Sequence, residues 1–414
     1  MWERMLVSML ERLVRHGRLK LSTPTGHCWS FGDGDPAYPA IHVTVHDAAV
    51  MRRLTLNPEL GLGEAYTDGR LTIDDDDLHG LLELALRNIR AGHRNPPMRL
   101  GRMARNWLRA LRQFNPLPRA RRNVAHHYDL SGDFYDLFLD QDRQYSCAYF
   151  RHEGDSLDTA QAQKKAHIAR KLLVRPGMRV LDIGCGWGGM ALTLARDHGA
   201  QVLGITLSQE QHRFATARAA RAGLGDQVQF RLMDYRAMTG QFDRIVSVGM
   251  FEHVGAPHYR AYFGTLRKLL ARDGVALVHS IGRAEPPGST NPWIDRYIFP
   301  GGYVPAMSEV LGAIEREGLW ITDVEVWRLH YAQTLRHWHD RFRANEDRAR
   351  ALFDARFCRM WRYYLVGCEQ TFRFNTQCVF QFQLAREQEA VPLTRDYLHA
   401  PEDTAALAPA SAAE

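Results

Sequence analysis

The chain has 414 residues, of which 45% are hydrophobic and 24% are charged, and its net charge is +6. These values are ordinary for a globular protein, and the length allows two or three domains. No apolar run approaches the roughly 20 residues that a membrane-spanning helix needs. Because the first residues carry charges where a signal peptide has an apolar core, we expect a cytoplasmic protein.

The first block, residues 1–92, is predicted to be a small α+β domain. The alternation in His42-Val43-Thr44-Val45-His46 predicts a strand, and a helix-rich stretch then runs to Arg90. Four consecutive acids, Asp74 to Asp77, lie directly before Leu78. Acids at that position favour a helix N-terminus, so we interpret the run as a cap and predict no metal site.

A basic segment, residues 93–120, follows this domain. It contains no Asp or Glu and is rich in arginine. Helical spacing within Met98–Phe114 puts Trp107 and other apolar residues on one side and five arginines on the other. Such a helix suits the surface of an anionic membrane, although an interdomain helix that packs its apolar side on a neighbour is an equal alternative. Without a nucleic-acid-reading motif nearby, we expect no nucleic-acid partner.

Residues 121–395 alternate between predicted helices and strands, which is typical of a mostly parallel α/β sheet. The predicted strands are Arg179–Ile183, Gln201–Ile205, Val228–Leu232, Arg244–Val248 and Val275–Ile281.

The most informative segment of this domain is the run from Val180 to Gly189, which predicts a buried strand, a glycine-rich turn and a helix over Met190–His198. Glycines at 184, 186 and 188 let a ligand lie against bare backbone, and the helix directs its positive end at that ligand. A dinucleotide site would place an acid about 20 residues further on, to bind a ribose. Here the next strand ends in Thr206-Leu207-Ser208, which argues against NAD.

Two further segments could form a substrate site. Between Gly282 and Leu319 the regular alternation gives way to an aromatic and proline-rich insertion, located where α/β sheets bind substrates. The helix predicted over Arg362–Phe372 carries Tyr364, Cys368 and Phe372 on one face. That face is either ordinary core or one wall of a tunnel for an apolar substrate. The tail, residues 396–414, is expected to be disordered.

Several segments together resemble the cyclopropane-fatty-acyl-phospholipid synthases and the related mycolic acid cyclopropane synthases. The matching segments are His127-Tyr128-Asp129, Tyr145-Ser146-Cys147-Ala148-Tyr149-Phe150, Leu181–Gly189, Gly204–Ser208, Met250–Gly255, His279–Gly282, Tyr297–Gly301 and His330–Leu335. The resemblance implies a Rossmann-like α/β fold of the S-adenosylmethionine (SAM)-dependent methyltransferases, with a mixed, mostly parallel sheet. Gly61–Tyr66 and Asp68-Gly69 resemble the smaller N-terminal, lipid-binding-like α+β domain of the long bacterial form.

The resemblance also implies a cofactor site for SAM. It assigns the methionine end to Tyr145, Ser146, Gly184 and Gly186, the ribose to Thr206 and Gln211, and the adenine to Tyr235 and Arg236. Asp182 is expected to order the glycine loop rather than to touch the ligand. Tyr235 stands where the mycobacterial relatives have a tryptophan.

The implied chemistry is the addition of a methyl group to a cis double bond, which leaves a carbocation that must lose a proton to close the ring. The family uses bound bicarbonate as the base. The resemblance assigns this anion to Cys147, Glu252, His279, Tyr331 and the backbone N–H of Ile281. Taken singly, Cys147 could be a buried hydrophobe and His279 a core histidine.

The predicted function is therefore cyclopropanation of cis-unsaturated acyl chains in phospholipids. One alternative is a SAM-dependent fatty-acyl methyltransferase that gives methyl- or methylene-branched chains, and another is a catalytically silent lipid-binding protein. We expect peripheral association with an anionic phospholipid membrane at its inner face, and the resemblance implies a homodimer.

Overall fold

The computed structural model describes residues 1–93, 113 and 132–399. Most of the basic segment, including the helix predicted over Met98–Phe114, therefore lies outside the described residues, as does His127-Tyr128-Asp129. Within the described part of the chain, no helix is long and apolar enough to cross a membrane.

The N-terminal domain, residues 1–93, is an α+β unit as predicted. Its elements are α1 (Trp2–Leu13), β1 (Arg18–Ser22), β2 (Cys28–Phe31), β3 (Ala40–Val45), α2 (Ala48–Leu56), α3 (Pro58–Thr67), β4 (Leu71–Ile73) and α4 (Leu78–Arg90). The strands form a sheet in the order β2-β1-β3-β4. Alternate residues of β3 are buried, as the sequence pattern predicts. Asp77 caps α4, because its side chain accepts a hydrogen bond from the backbone N–H of Gly80 at 2.8 Å.

The C-terminal domain, residues 132–399, surrounds a seven-stranded sheet. Its helices are α5 (Gly132–Tyr135), α6 (Leu157–Leu172), α7 (Gly189–His198), α8 (Gln209–Arg221), α9 (Tyr259–Leu269), α10 (Pro292–Tyr297), α11 (Met307–Arg316), α12 (His330–Ala344), α13 (Glu346–Leu352) and α14 (Ala355–Phe374). Its strands are β5 (Arg179–Ile183), β6 (Gln201–Thr206), β7 (Val228–Leu232), β8 (Phe242–Val248), β9 (Leu270–Arg283), β10 (Trp320–Trp327) and β11 (Gln377–Ala385).

The sheet order is β10-β11-β9-β8-β5-β6-β7, in which β5 to β9 are parallel and β11 is antiparallel to both of its neighbours. This mixed, mostly parallel sheet confirms the predicted fold class. Chain progression reverses at β5, which lies between β6 and β8. An open α/β sheet binds ligands beside the carboxyl ends of its strands at such a point.

The ends of the predicted elements differ from the observed ones in a few places. The strand predicted over Val275–Ile281 is longer, because β9 pairs with β8 on one side and β11 on the other along most of its length. The domain also continues beyond the predicted boundary at 395. The Tyr397 hydroxyl donates a hydrogen bond to Gln383 at 3.2 Å, which attaches residues 396–399 to the sheet. Residues 400–414 lie outside the described part.

Helices α3 and α4 attach the N-terminal domain to α10 and α14 of the C-terminal domain. Carboxylates of the first domain face arginines of the second, in the pairs Glu64 with Arg296, Asp68 with Arg356 and Asp76 with Arg362. In the opposite sense, the buried carboxylate of Glu369 on α14 is 3.1 Å from Nε2 of His79 on α4. The two domains therefore meet across a polar seam that fixes their relative position.

Candidate active site

A cavity of about 150 Å³ lies beside the carboxyl ends of β5, β6 and β7. The glycine loop after β5 forms its floor, with Gly184 at a φ of +80° and Gly186 at +53°. These conformations favour glycine, and a Cβ on Gly186 would meet no protein atom within 4 Å. The loop therefore presents bare backbone to whatever occupies the cavity.

The cavity brings together nine of the ten residues predicted for the cofactor. They are Tyr145, Ser146, Asp182, Gly184, Gly186, Thr206, Gln211, Tyr235 and Arg236. Gly188, the tenth, is not among the lining residues, and its assignment to the cofactor stays a prediction. A Cβ on Gly188 would lie 2.8 Å from the Phe230 ring and 3.0 Å from the Ala215 Cβ, so this glycine permits close packing of the turn against the protein interior.

The polar wall of this cavity is ordered by hydrogen bonds among its own members. Thr206 Oγ1 donates to Gln211 Oε1 at 2.9 Å, and both side chains are buried. Opposite them, the carboxylate of Asp234 accepts from the backbone N–H and the guanidinium of Arg236 at 2.8 to 2.9 Å. Asp234 was missed in the sequence, although an acid two residues beyond a strand end is a visible signal.

Two buried ionisable residues lie at the cavity, Asp182 in its lining and Lys164 behind it. Burial raises the pKa of Asp182 to about 7 and lowers the pKa of Lys164 to about 8. Lys164 Nζ donates to Gln144 Oε1 and to Ser146 Oγ, each at 2.8 Å. Since Gln144 and Ser146 line the cavity, Lys164 orders its wall from behind. Sequence reasoning missed Lys164, because nothing in its helical context marks it as buried.

A second, larger cavity of about 440 Å³ adjoins the first. The two share Tyr145, Ser146, Gly249 and His253 as a common wall. The aromatic insertion and α14 line the second cavity, as the sequence predicts for a substrate site. Tyr364, Cys368 and Phe372 all line it, and Tyr364 and Phe372 also belong to the buried core, so their role as a tunnel wall stays a prediction.

All five predicted catalytic positions line the second cavity: Cys147, Glu252, His279, Ile281 and Tyr331. They come from distant parts of the chain and meet beside the shared wall. Glu252 lies on a short 3-10 turn after β8, and His279 and Ile281 lie on β9. Tyr331 is the second residue of α12. The Cys147 thiol is fully buried and donates to the carbonyl of Ala148 at 3.3 Å.

Glu252 is held as a weak acid. Its Oε1 accepts from the backbone N–H of Ile281 at 2.7 Å, and its Oε2 is buried with no hydrogen-bond partner among the described residues. Burial raises the pKa of Glu252 to about 7, although the hydrogen bond from Ile281 acts in the opposite direction. The Ile281 N–H thus serves Glu252 in this structure, and Glu252 can both accept and donate a proton near neutral pH.

His279 is held as a neutral ring. Burial lowers its pKa well below the ordinary value. Gln381, its fully buried neighbour on β11, places its side-chain nitrogen 3.0 Å from His279 Nδ1. When this amide nitrogen donates to Nδ1, the ring carries its proton on Nε2. Gln381 was not identified in the sequence, because its role depends on the β9–β11 pairing.

Aromatic side chains close the remaining sides of the site. The Tyr145 and Tyr364 hydroxyl oxygens are 2.8 Å apart and join the two cavities. The ring of Trp338 stacks on Tyr145 with a centroid distance of 5.1 Å, and Phe372 packs on Tyr331 at 4.9 Å. Among the described residues, no group of three or more His, Cys, Asp or Glu side chains could hold a metal ion. The arrangement joins a cavity with a glycine loop and several polar side chains to a larger, more apolar one, and the cluster around Glu252 lies beside their shared wall.

Comparisons with known proteins agree with this geometry. The family model described as mycolic acid cyclopropane synthetase matches residues 116–382. The chain is 36% identical to the cyclopropane-fatty-acyl-phospholipid synthase of Escherichia coli strain K12 over 84% of this chain and 88% of that protein. It is 37% identical to a probable fatty acid methyltransferase of Pseudomonas putida, over 86% of this chain and 89% of that protein.

Solved structures give the same result. The crystal structure of the mycolic acid cyclopropane synthase CmaA1, complexed with SAH and CTAB, matches with a TM-score of 0.61 at 34% identity. The match covers 66% of this chain and 99% of that one. The similarity therefore includes the fold and the sequence of the C-terminal domain.

Proposed function

Because this chain belongs to the mycolic acid cyclopropane synthetase family and is a SAM-dependent methyltransferase, we propose that it converts cis double bonds in the acyl chains of phospholipids into cyclopropane rings. The relative from Escherichia coli is named for that reaction. The observation that carries the proposal is the shared wall between the two cavities. Tyr145, Ser146, Gly249 and His253 separate a smaller cavity, lined by the glycine loop and the polar side chains predicted for the cofactor, from a larger and more apolar one that suits an acyl chain.

The smaller cavity suits SAM, which supplies an electrophilic methyl group. Thr206 and Gln211 offer a hydroxyl and an amide for ribose hydroxyls, and Tyr235 and Arg236 border the region beyond them. The methionine end then lies at Tyr145 and Ser146, beside the shared wall. This orientation directs the methyl group toward the second cavity.

The larger cavity positions the double bond. An isolated alkene is a weak nucleophile, so alignment with the methyl group and exclusion of water must supply much of the rate. Tyr364, Phe372 and Tyr331 provide an apolar, aromatic lining on the substrate side. Water kept out of this lining cannot trap the carbocation that forms after methyl transfer.

The cluster around Glu252 fits a carbonate-type anion. The His279 Nε2–H and a protonated Glu252 are donors, and the buried Glu252 Oε2 has no partner among the described residues. Bicarbonate, when bound, supplies a base that takes a proton from the new methyl group. Glu252, with a pKa of about 7, exchanges a proton with that site, and His279 remains neutral so that it adds no positive charge beside the carbocation.

The test uses SAM with a deuterated methyl group and vesicles of cis-monounsaturated phospholipid. We expect mass spectrometry to show a chain that has lost one methyl deuterium, and proton NMR to show upfield ring protons. A chain that keeps every methyl deuterium would replace this proposal with a branching methyltransferase. Product that responds to bicarbonate in depleted buffer supports the anion, whereas identical rates with and without it would remove the anion from the mechanism.

A methyl- or methylene-branching reaction is the second candidate, favoured by the Pseudomonas putida relative named as a probable fatty acid methyltransferase. Both reactions use the same two cavities and differ in whether the carbocation is converted into a ring or into a branched chain. A methylene product also loses one methyl deuterium, but its new methylene carbon carries only deuterium, so its proton spectrum shows allylic protons and lacks the upfield ring protons. The NMR spectrum therefore separates the two outcomes.

The proposal includes a peripheral position on the inner face of the membrane. Arginines crowd residues 93–120, which contain no acid, and anionic lipid headgroups attract such a segment. Cosedimentation with anionic vesicles should rise with their charge and fall with added salt. Binding indifferent to both would remove this part of the proposal. A homodimer completes the proposal, and analytical ultracentrifugation would test it.

A further inference from the structure

The N-terminal domain forms one wall of the larger cavity. Leu13 of α1, Leu62 of α3 and Leu82, Leu86 and Ile89 of α4 all line it. They face the same space as the predicted substrate-binding residues of α14. The cavity therefore crosses the seam between the two domains instead of lying within the C-terminal domain alone.

Close packing holds this wall in position. A Cβ on Gly63 would lie 2.4 Å from the Trp293 ring, so α3 rests directly on α10 of the insertion. On α14, a Cβ on Gly367 would be 3.9 Å from Leu82 Cδ1. The Tyr297 hydroxyl donates to Glu64 Oε1 at 2.9 Å, which ties the same surfaces by a hydrogen bond. A wall fixed in this way can discriminate by volume.

This wall is absent from the part of the chain that the family model matches. The match begins at residue 116, after the whole N-terminal domain. The matched domain holds the cofactor cavity and the cluster around Glu252, whereas the five residues of the wall lie outside it. Their apolar character and their position suit contact with a distant part of the substrate.

We propose that the N-terminal domain is part of the acyl-binding site and selects the acyl chain through the volume left by Leu62, Leu82 and Leu86. The inference rests on the proposed function, because it assumes that the larger cavity takes an acyl chain. Contact with a single methylene group discriminates by about 10-fold or more in a closed apolar pocket. Chains that extend differently from the double bond would therefore be turned over at different rates.

Three acyl chains in phosphatidylglycerol vesicles test this selection. Palmitoleoyl and oleoyl chains share the segment between the carboxyl group and the double bond, whereas palmitoleoyl and cis-vaccenoyl chains share the segment beyond it. If the two chains of one pair differ in kcat/KM, the segment in which they differ is the one that contacts the wall. The variants are Leu62→Phe and Leu86→Phe, which reduce the volume, with Leu62→Ala and Leu86→Ala, which enlarge it.

In one of the two pairs, we expect the phenylalanine variants to lower the ratio of kcat/KM for the longer chain to kcat/KM for the shorter chain by about 10-fold. The alanine variants should raise the same ratio. SAM affinity should stay at the wild-type value. The matched control is Leu56→Phe, because Leu56 belongs to the same domain, is 58% exposed and does not line the cavity. Its ratios should equal those of the wild type.

If the phenylalanine and alanine variants keep the wild-type ratio of kcat/KM between the longer and the shorter chain, whatever their overall activity, the inference is overturned. The wall would then have only a structural role. Wild-type protein that modifies none of the three chains would instead contradict the proposed function, so the two failures are distinguishable.

Discussion

The two cavities differ in how they are built. The cofactor cavity is assembled mainly from the ends of β5, β6, β7 and β8 and the loops that follow them, together with a short segment around Tyr145 and Pro300-Gly301 of the insertion. The larger cavity takes its walls from α1, α3, α4, the insertion, α12 and α14, which are far apart in the sequence. The first depends on short local motifs, and the second depends on how two domains pack. Variants that separate binding of SAM from turnover of the acyl chain test this division.

The largest effect should come from Glu252→Gln, at the cluster beside the shared wall. Glutamine can still accept the hydrogen bond from the Ile281 N–H, but it cannot exchange a proton near neutral pH. Loss of a proton-transfer group commonly lowers turnover by about 10²- to 10⁴-fold. We therefore expect kcat to fall within that range while calorimetry gives an unchanged dissociation constant for SAM.

The matched control is Glu285→Gln. Glu285 lines the same cavity, but its carboxylate pairs with the Arg283 guanidinium at an N–O distance of 3.5 Å. It should retain most of the activity. A Glu252→Gln variant that is as active as Glu285→Gln would exclude Glu252 from the proton pathway.

The buried floor of the cofactor cavity should be sensitive to pH. Burial gives Asp182 a folded-state pKa of about 7, above the ordinary value of 3.8. Between these two values the folded state holds a proton that the unfolded state has lost, so this group makes the free energy of unfolding fall as pH rises. Asp182→Asn removes that titration. Its stability relative to the wild type should increase by about 2 kcal/mol from pH 5 to pH 7.5.

Denaturant unfolding at both pH values measures this difference. Asp197→Asn is the control, because Asp197 is exposed, pairs with Arg196 and has a pKa below its ordinary value. The change in the free energy of unfolding that Asp197→Asn causes should be the same at both pH values. If Asp182→Asn also shows no change with pH, its carboxyl group is solvated and does not form a buried floor.

Lys164→Met should weaken SAM binding by about 10-fold, because Gln144 Oε1 and Ser146 Oγ each lose a buried hydrogen-bond donor. A positioning role predicts that KM for SAM rises more than kcat falls, and that Lys164→Arg recovers part of the affinity. Lys268→Met, at an exposed position of α9, is the control. A loss confined to kcat would contradict the positioning role.

The sequence predicts local features of this molecule well and long-range ones poorly. The boundaries of β5 and β7 and the glycine loop were predicted, since an apolar run followed by glycines is a local signal. The antiparallel pair of β10 and β11 was not identified, and β11 has fully buried glutamines at 381 and 383 where a strand core is usually apolar. Their burial depends on hydrogen bonds to His279 and to the carbonyl of Lys171, partners more than 100 positions away.

The candidate site shows the same contrast. The resemblance to a known family supplied Cys147, Glu252, His279 and Tyr331, and the structure brings them together at one cavity. It did not supply Lys164, because a lysine on an amphipathic helix is ordinarily exposed. The wall formed by the N-terminal domain was also missed, since an apolar residue such as Leu86 looks the same in sequence whether it lines a cavity or fills a core.

The two glycines at 186 and 188 give the smallest but sharpest test of where the cofactor cavity ends. Both have positive φ, so an alanine costs each about 1 kcal/mol of folding stability. At Gly186 the added methyl group meets no protein atom, and it projects where a ligand would lie. At Gly188 the added methyl group lies 2.8 Å from Phe230 and away from the cavity.

Gly186→Ala should therefore weaken SAM binding several-fold in calorimetry, with a modest loss of stability. Gly188→Ala should lose more stability in denaturant unfolding and keep its affinity for SAM. Weaker binding in Gly188→Ala than in Gly186→Ala, with both variants folded, would mean that the ligand extends beyond the described cavity toward α8.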